Sequence, residues 1–519
     1  MTEQYSIPAN EMTFKEFLFK YRGNRIILKW TVVAIVIQFA VFKYLYPFAS
    51  FIHGDSFAYM IAADKNLTIN TYLIGYAKFL RLFSVFAKPD YLLVAFQYLF
   101  IQFSLLYLLF TLFYFYKIGR VVQLILLCFM VFNPLFLHLG NLVSSDCFFL
   151  ALSATWFALL IWLIHRPSNK IIIWHAIVLF VAFTVRYNAM IYPFIACLAF
   201  ALSKLSLRKK ITGIGLALLL CGWFVGLTMY QYKKLTGHWQ YSPFSGWQLA
   251  NNAMYSYRYV DKAERKPVPK KFQALDNMIR EFFDSTRDVE KNRTEAIMAS
   301  TFYMWSPGMP LMVYKDNLFK RDTAASDLKK WASMGPLFKE YGIYIIKQYP
   351  WHFIRYFMWP NASKYYAPPI EFLESFNSGN AAVPELAKQW FGYKSPIIKT
   401  RMKDLRVWVL DIYPFLSGIV NILMLFAILC YISLKGWQYS GPLHKGIIMG
   451  GAVWLLNAVF TISASSAALR FQSFPILLTT IFVALHVDWM IQVMAQLKQE
   501  GKRLDIEKQM EEAIPQGAI

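Results

Sequence analysis

The chain has 519 residues, of which 57% are hydrophobic and 16% are charged, and its formal net charge is +23. The charged share is well below the roughly one quarter that is usual in soluble domains, and a soluble fold could not bury this much apolar surface. The composition therefore excludes a soluble globular protein and predicts an integral membrane protein with many spanning helices.

Ten apolar stretches are predicted to cross the membrane, because a helix that rises ~1.5 Å per residue needs about 20 residues to cross a hydrocarbon core of ~30 Å. The predicted spans are roughly 26–46, 91–116, 121–139, 147–164, 171–185, 188–203, 211–230, 407–434, 447–463 and 469–493. The stretch 171–203 is divided in two because one continuous helix there would be ~50 Å long, far more than a bilayer needs. The predicted fold class is thus an all-α polytopic bundle of about ten transmembrane helices.

Basic residues in the short loops set the predicted orientation. Positive charge concentrates in cytoplasmic loops, so the loops that carry it are assigned to the cytoplasm together with both termini. The residues concerned are Lys117, Arg120, Arg166, Lys170, Arg208, Lys209, Lys210, Lys435 and Lys445. The protein is therefore predicted to be a multi-pass protein of the plasma (inner) membrane.

The polar segments outside the spans divide the chain into four parts. Residues 1–232 form a transmembrane module whose first external loop is 47–90, and residues 233–405 form an extracytoplasmic domain. Residues 406–497 are the C-terminal transmembrane helices, and 498–519 are a charged cytoplasmic tail. The external domain has about 26 Lys and Arg against about 16 Asp and Glu, an excess that the positive-inside bias does not explain. An anionic acceptor, a lipid headgroup or a basic solvated surface would each account for it.

Four charged residues stand at the outer ends of separate apolar segments: Asp55, Asp146, Arg186 and Arg470. Ionisable groups beside spanning helices are costly to place and are usually functional. Each also has a purely structural interpretation, since an Asp can cap a helix and an Arg can extend to lipid headgroups. Their shared sidedness favours a common site on the extracytoplasmic face.

A series of short motifs surrounds these residues. The motifs are Asp55 with Tyr59, Gly75-Tyr76, Asn133-Pro134, Ser145-Asp146, Arg186-Tyr187-Asn188 with Tyr192-Pro193, and Arg470-Phe471 with Pro475. Their order resembles the GT-C glycosyltransferases, membrane enzymes that use polyprenyl-phosphate sugars, and within them the protein O-mannosyltransferase and lipid A aminoarabinose transferase branches. The resemblance covers the first seven spans and the last one, roughly half of the chain, and it implies a GT-C-like bundle.

The resemblance also implies roles for individual residues. Transfer of a sugar from a lipid phosphate, with inversion, needs a base for the acceptor's proton, and Asp55 takes this role with Asp146 orienting the acceptor or its surroundings. Arginine pairs with phosphate oxygens through two parallel hydrogen bonds, which makes Arg186 and Arg470 the expected partners of the leaving group. Further expected substrate-binding residues are Tyr59, Tyr76, Lys78 and Arg81.

The implied partners are a polyprenyl-phosphate-linked sugar, the lipid bilayer and an extracytoplasmic acceptor that is a glycan, a lipid or a protein. Neither a nucleic acid nor a cofactor is expected. The histidines have no metal-ligand spacing, so no protein-built metal site is predicted, while use of a divalent cation stays open. Two other function classes are a flippase or transporter, and a ligase or polymerase of lipid-linked glycans. A transporter ranks lower because no internal repeat is visible.

Overall fold

The computed structural model of the chain describes residues 12–286, 288, 291 and 298–512. About 75% of the chain is helical, and the described residues form isolated β-bridges but no strand. The all-α fold class is therefore confirmed. The described helices of the N-terminal part are α1 Phe14–Phe19, α2 Arg22–Leu45, α3 Asp55–Asp64, α4 Gly75–Phe86, α5 Asp90–Phe115, α6 Arg120–Val131, α7 Pro134–Asn141, α8 Ser145–His165, α9 Asn169–Val185, α10 Tyr192–Leu202 and α11 Leu207–Thr236.

The segment 233–405, which the sequence predicts to be external, is also helical where the structure describes it and is followed by three long helices. The external helices are α12 Pro243–Tyr257, α13 Gln273–Ser285, α14 Phe302–Trp305, α15 Pro310–Leu318, α16 Asp327–Ser333, α17 Gly335–Gln348, α18 Pro350–Phe353, α19 Trp359–Tyr366 and α20 Glu385–Phe391, with a π-helical turn at Ile354–Met358 between α18 and α19. The C-terminal helices are α21 Tyr413–Ser433, α22 Leu443–Ala464 and α23 Leu469–Glu512.

Eight helices in the described residues are long and apolar enough to cross a membrane, which confirms a multi-pass membrane protein. They are Arg22–Leu45, Asp90–Phe115, Arg120–Asn141, Ser145–His165, Leu207–Thr236, Trp408–Ser433, Leu443–Ala464 and Leu469–Gly501. Two shorter apolar helices, Asn169–Val185 and Tyr187–Leu202, occupy the remaining two predicted spans. The count of ten spans and the extracytoplasmic location of the polar segments stay predictions.

The third spanning segment consists of two helices rather than one. Pro134 has no backbone N–H to donate, so a helix cannot continue through it without loss of a hydrogen bond. Asn133 caps the second helix by accepting a hydrogen bond from the N–H of Leu135 at 3.1 Å, and the Tyr413 hydroxyl donates to the same amide oxygen. The break therefore ties α7 to the start of α21.

Buried apolar residues form two clusters. One contains the spanning helices together with the first external loop, and it also includes Leu373, Phe376, Val383 and Ile398. The other consists of external residues between 232 and 357. The later part of the external segment thus packs on the transmembrane module, while the earlier part has a core of its own.

Hydrogen bonds hold this later external segment against the first external loop. The backbone N–H of Asn377 donates to the Ser50 hydroxyl at 2.9 Å, and the Ser378 hydroxyl donates to the Phe51 carbonyl at 3.1 Å. These contacts lie a few residues before Asp55. The segment therefore helps to fix the loop from which Asp55 projects.

Gly75 permits a close approach between α4 and the end of α9. A Cβ atom at this position would lie 2.4 Å from the Thr184 hydroxyl oxygen and 2.7 Å from the Thr184 carbonyl oxygen. Both distances are too short for a side chain, and Thr184 stands two residues before Arg186. The glycine therefore lets the first external loop pack beside the helix that carries Arg186.

Cysteine labelling tests the predicted orientation. In a variant without the native cysteines, we expect Lys65→Cys and Ser285→Cys to react with an impermeant thiol reagent added outside intact cells. Lys204→Cys and Ser206→Cys should react only after permeabilisation, because positive charge concentrates on the cytoplasmic side. All four positions are exposed in the structure. Labelling of Ser206→Cys from outside would contradict the predicted hairpin over 171–203.

Candidate functional site

Two carboxylates and two guanidinium groups meet in one network at the ends of four different elements. Arg470 joins the two acids, since its Nη2 lies 2.7 Å from Asp55 Oδ2 and its Nη1 lies 3.3 Å from Asp146 Oδ2. Arg186 forms an ion pair with Asp146 Oδ1. The four residues are separated by up to 415 positions in sequence, and the packing of the bundle brings them together. Their formal charges balance.

Asp55 begins helix α3 directly after a glycine in an unusual conformation. Gly54 has a φ of +98°, which L side chains rarely adopt, and it turns the chain into the helix. An acid in the first turn also interacts favourably with the positive end of the helix dipole. The Asp55 side chain is 20% exposed, which makes it the most exposed member of the network.

Asp146 does not act as a helix cap. It is 1% exposed, and it accepts a hydrogen bond from the Ser144 hydroxyl in addition to its two ion pairs. Ser144, which occupies the cap position of α8, forms no side-chain capping bond. A carboxylate this deeply buried would be costly without partners. The structure therefore favours a charge-pairing role for Asp146 over the capping interpretation.

Both arginines point into the protein rather than toward lipid headgroups. The Arg186 and Arg470 side chains are 14% and 4% exposed. Arg470 is the second residue of α23, where the helix dipole disfavours a cation. The two carboxylates offset this penalty, and aromatic rings cover the guanidinium groups. The centre of the Phe471 ring lies 4.6 Å from Arg186 Cζ and 4.4 Å from Arg470 Cζ.

One donor of this network has no partner. Among the described residues, Arg470 Nε is buried and makes no hydrogen bond. A buried donor left unsatisfied costs roughly 1–3 kcal/mol. This N–H is therefore available to a ligand with an oxygen acceptor, beside two N–H groups that already engage carboxylates.

The two predicted tyrosines lie next to the network but do not contact its carboxylates. The Tyr59 hydroxyl is 2.9 Å from the Ser145 hydroxyl, and Tyr76 donates to the side-chain oxygen of Gln97 at 2.7 Å. Burial raises the pKa of both phenols, so both stay protonated. Their rings pack edge to face with centres 5.1 Å apart. They form part of the wall behind Asp55.

Tyr72 is the tyrosine that contacts Asp55, and the sequence analysis did not select it. Its hydroxyl donates to Asp55 Oδ1 at 2.6 Å. Burial is the largest cause that raises the pKa of Tyr72 well above its ordinary value, and the Asp55 charge adds to it, so the phenol remains a hydrogen-bond donor. No motif marks Tyr72 in the sequence, because its role depends on how the loop after α3 folds back.

Lys78 and Arg81 lie outside the network and hold the first external loop together. Lys78 Nζ donates to the Asn66 side-chain oxygen at 2.7 Å, and Arg81 Nη1 donates to the Ala63 and Asp64 carbonyls at 3.0 and 3.1 Å. Burial, with the nearby Arg81 charge, lowers the pKa of Lys78.

Lys78 also lines a cavity of about 260 Å³ between the first external loop and α11. Apart from Lys78 the lining is mainly apolar and includes Trp223, Phe224 and Leu227. A smaller cavity shares Phe224 with it and is lined by Tyr72 as well. The two cavities therefore lie next to each other between α11 and the part of the first external loop that carries Tyr72.

Comparison of the chain with protein-family models, curated proteins and solved structures finds no match to any of them. The interpretation of the site therefore depends on its own geometry and on the motif resemblance.

Two further residues missed by sequence reasoning flank Arg470. The Phe372 ring centre lies 4.6 Å from Arg470 Cζ, and Phe372 has a φ of +70°, a strained conformation for a bulky residue. Next to it, Glu371 Oε1 lies 3.8 Å from Lys364 Nζ, and burial raises the pKa of Glu371. No glycine stands beside Phe372, so the sequence gives no signal for a positive φ at this position, and only the structure reveals it.

The described residues contain no group of three or more His, Cys, Asp or Glu placed to hold a metal ion. The arrangement offers instead a charge-neutral Asp/Arg network with a partly exposed acid, a free buried N–H and an adjoining apolar cavity. Such a site can bind an anionic group on a lipid and hold a carboxylate beside it.

Proposed function

We propose that the protein is a membrane glycosyltransferase that moves a sugar from a polyprenyl-phosphate donor to an extracytoplasmic acceptor, with inversion at the anomeric carbon. The observation that carries the proposal is the meeting of Asp55, Asp146, Arg186 and Arg470 in one network. A reaction of this kind needs a base for the acceptor and cationic donors for a phosphate leaving group. The network supplies both.

The donor's phosphate binds at Arg470 and Arg186. The unpartnered Nε of Arg470 gives a phosphate oxygen its first hydrogen bond, and the guanidinium fork can supply a second. The polyprenyl chain occupies the apolar cavity between the first external loop and α11. Lys78, on the wall of that cavity, adds positive charge near the lipid phosphate.

Binding of the sugar donor frees Asp55 to act as the base. In the free protein both Asp55 oxygens have partners, since Tyr72 donates to Oδ1 and Arg470 pairs with Oδ2. A phosphate that takes hydrogen bonds from Arg470 competes with Asp55 for the same guanidinium group. Asp55 Oδ2 then becomes free to accept a proton, while Tyr72 keeps the carboxylate in place.

The chemical step then follows from this arrangement. The acceptor's oxygen or nitrogen forms a bond to the anomeric carbon, and the bond between that carbon and the phosphate oxygen breaks on the opposite face. The electron pair of the broken bond goes to the phosphate, whose increased charge the two arginines stabilise. The acceptor's proton goes to Asp55, a contribution worth typically about 10² to 10⁴ in rate.

A donor panel tests the proposal. Purified full-length protein in lipid nanodiscs would be incubated with polyprenyl-phosphate sugars and, for comparison, polyprenyl-pyrophosphate oligosaccharides, all labelled in the sugar. Consumption of each would be measured with and without a membrane extract as the source of acceptor. We expect consumption of at least one donor, with label entering the extract. Consumption of none of them, or consumption only of pyrophosphate-linked oligosaccharides, would contradict the proposal.

Lys78 provides a second test, directed at the donor cavity. Because Lys78 lines the apolar cavity without touching the Asp/Arg network, Lys78→Met should raise the KM for the donor by roughly 3- to 10-fold and change kcat little. The matched control is Lys88→Met, at an exposed position after α4. A fall in kcat with an unchanged KM would assign Lys78 to another role.

A further inference from the structure

Five basic residues meet at the end of the bundle opposite the Asp55 site. This basic cluster consists of Lys204, Arg208, Lys209, Lys210 and Lys445. Lys445 Nζ donates to the Leu202 carbonyl at 2.8 Å, and Lys210 Nζ donates to the Ala201 carbonyl at 3.0 Å. Lys204 and Lys210 are close enough to Lys445 to act on its charge.

The position of the cluster follows from helix α22. Lys445 stands at the start of this helix. Near the other end, nine residues before Arg470, the Thr461 carbonyl accepts a hydrogen bond from the Asn361 side chain at 2.7 Å. A helix of 22 residues is ~33 Å long. The cluster and the Asp55 site are therefore separated by about the thickness of the membrane core, and the positive charge assigns the cluster to the cytoplasmic side.

The cluster lacks negative partners. Within the part of the chain that the structure describes, none of its five members forms an ion pair. Basic residues elsewhere do so, for example Arg265 with Asp284 at 3.0 Å. Arg208, Lys209 and Lys210 also lie in the first turn of α11, which contains no acid and has no side-chain cap. The positive end of a helix dipole disfavours cations there. Lys210 and Lys445 satisfy the last carbonyls of α10, but the remaining three side chains are exposed and unpaired.

We propose that the basic cluster binds the headgroup of an anionic phospholipid. A phosphate diester would neutralise the cations of two helices and a loop at once, and the end of a spanning helix is the level at which headgroups lie. This site is independent of the glycosyltransferase function proposed above.

The surface beside the cluster favours a lipid over a free phosphate ion. Leu207 and Ile211 are 72% and 63% exposed, and together with the exposed Leu218 they lie on one face of α11. Acyl chains can lie along this face while the phosphate contacts Arg208 and Lys209. Inorganic phosphate would leave the apolar face uncovered.

Native mass spectrometry of the full-length protein tests the site. Protein in phosphatidylcholine nanodiscs with a minor fraction of phosphatidylglycerol would be released into the gas phase, and retained phosphatidylglycerol would be counted. The test variant is Arg208→Gln/Lys209→Gln, whose two side chains make no hydrogen bond among the described residues. The control is Lys117→Gln/Arg120→Gln, which removes the same charge from another exposed loop at the same end of the bundle.

We expect the wild type and the control to retain phosphatidylglycerol over phosphatidylcholine and the test variant to retain it about 30-fold less, since each of the two basic residues that it loses contributes about 1 kcal/mol near a membrane surface. Equal retention by all three proteins, or equal loss in both variants, would overturn the proposal. A thermal-shift measurement with inorganic phosphate tests whether the ligand is a free ion instead of a lipid. Stabilisation by millimolar phosphate together with no lipid preference would also overturn it, because the ligand would then be a free ion.

Discussion

Replacement of Asp55 by Asn should lower turnover by at least ~10²-fold, the largest effect that we expect from any single substitution. The amide keeps the shape of the side chain but cannot take the acceptor's proton. The KM for the donor should not rise, because Arg470 loses one of the two carboxylates that compete with the phosphate. The measurement is steady-state transfer from the donor found in the panel.

Asp64→Asn is the matched control for this experiment. Asp64 is the last residue of the same helix, it is exposed, and its side chain has no hydrogen bond or ion pair among the described residues, although its backbone carbonyl accepts from Arg81. The Asp64→Asn variant should turn over the sugar donor at the wild-type rate. Thermal unfolding of both variants separates loss of chemistry from loss of fold, and we expect Asp55→Asn to lower stability because it leaves the buried Arg470 with one carboxylate partner. A folded Asp55→Asn protein with normal turnover would exclude Asp55 as the base and make Asp146 the next candidate.

Replacement of Arg470 by Lys should reduce kcat/KM for the donor by about 10- to 10²-fold while the protein still folds. Arg470 uses Nη1 for Asp146 and Nη2 for Asp55, and it keeps Nε for a ligand. A lysine ammonium keeps the charge but is a single point that cannot reach three acceptors in one plane. Arg470→Lys should therefore weaken both the binding of the sugar donor and the stabilisation of the phosphate leaving group.

Arg406→Lys is the control for loss of the guanidinium fork. Arg406 pairs with Asp411 at 3.1 Å, but the pair is exposed and lies away from the network. Exposed pairs contribute about 0–1 kcal/mol, so this variant should behave as wild type. Full donor turnover by Arg470→Lys would mean that charge alone is sufficient and that the fork has no part in catalysis.

The membrane class and the positions of the spans could be predicted from the sequence because both depend on local properties. A run of about 20 apolar residues spans a bilayer whatever surrounds it, and the eight long apolar helices confirm most of the predicted spans. That Asp55, Asp146, Arg186 and Arg470 lie at one end of the bundle was predictable in the same way, by counting spans between them. Local sequence also explains the helix break at Pro134.

The pairing within the site was decided only by the tertiary structure. Side chains on different helices meet or miss according to how each helix is rotated and tilted, and no local pattern in a single sequence encodes that rotation. Arg470 therefore bridges both acids, Tyr72 rather than Tyr59 contacts Asp55, and Lys78 faces a cavity instead of the network. The division of the external segment between two cores has the same cause, because which buried faces pack together depends on contacts between residues far apart in the chain.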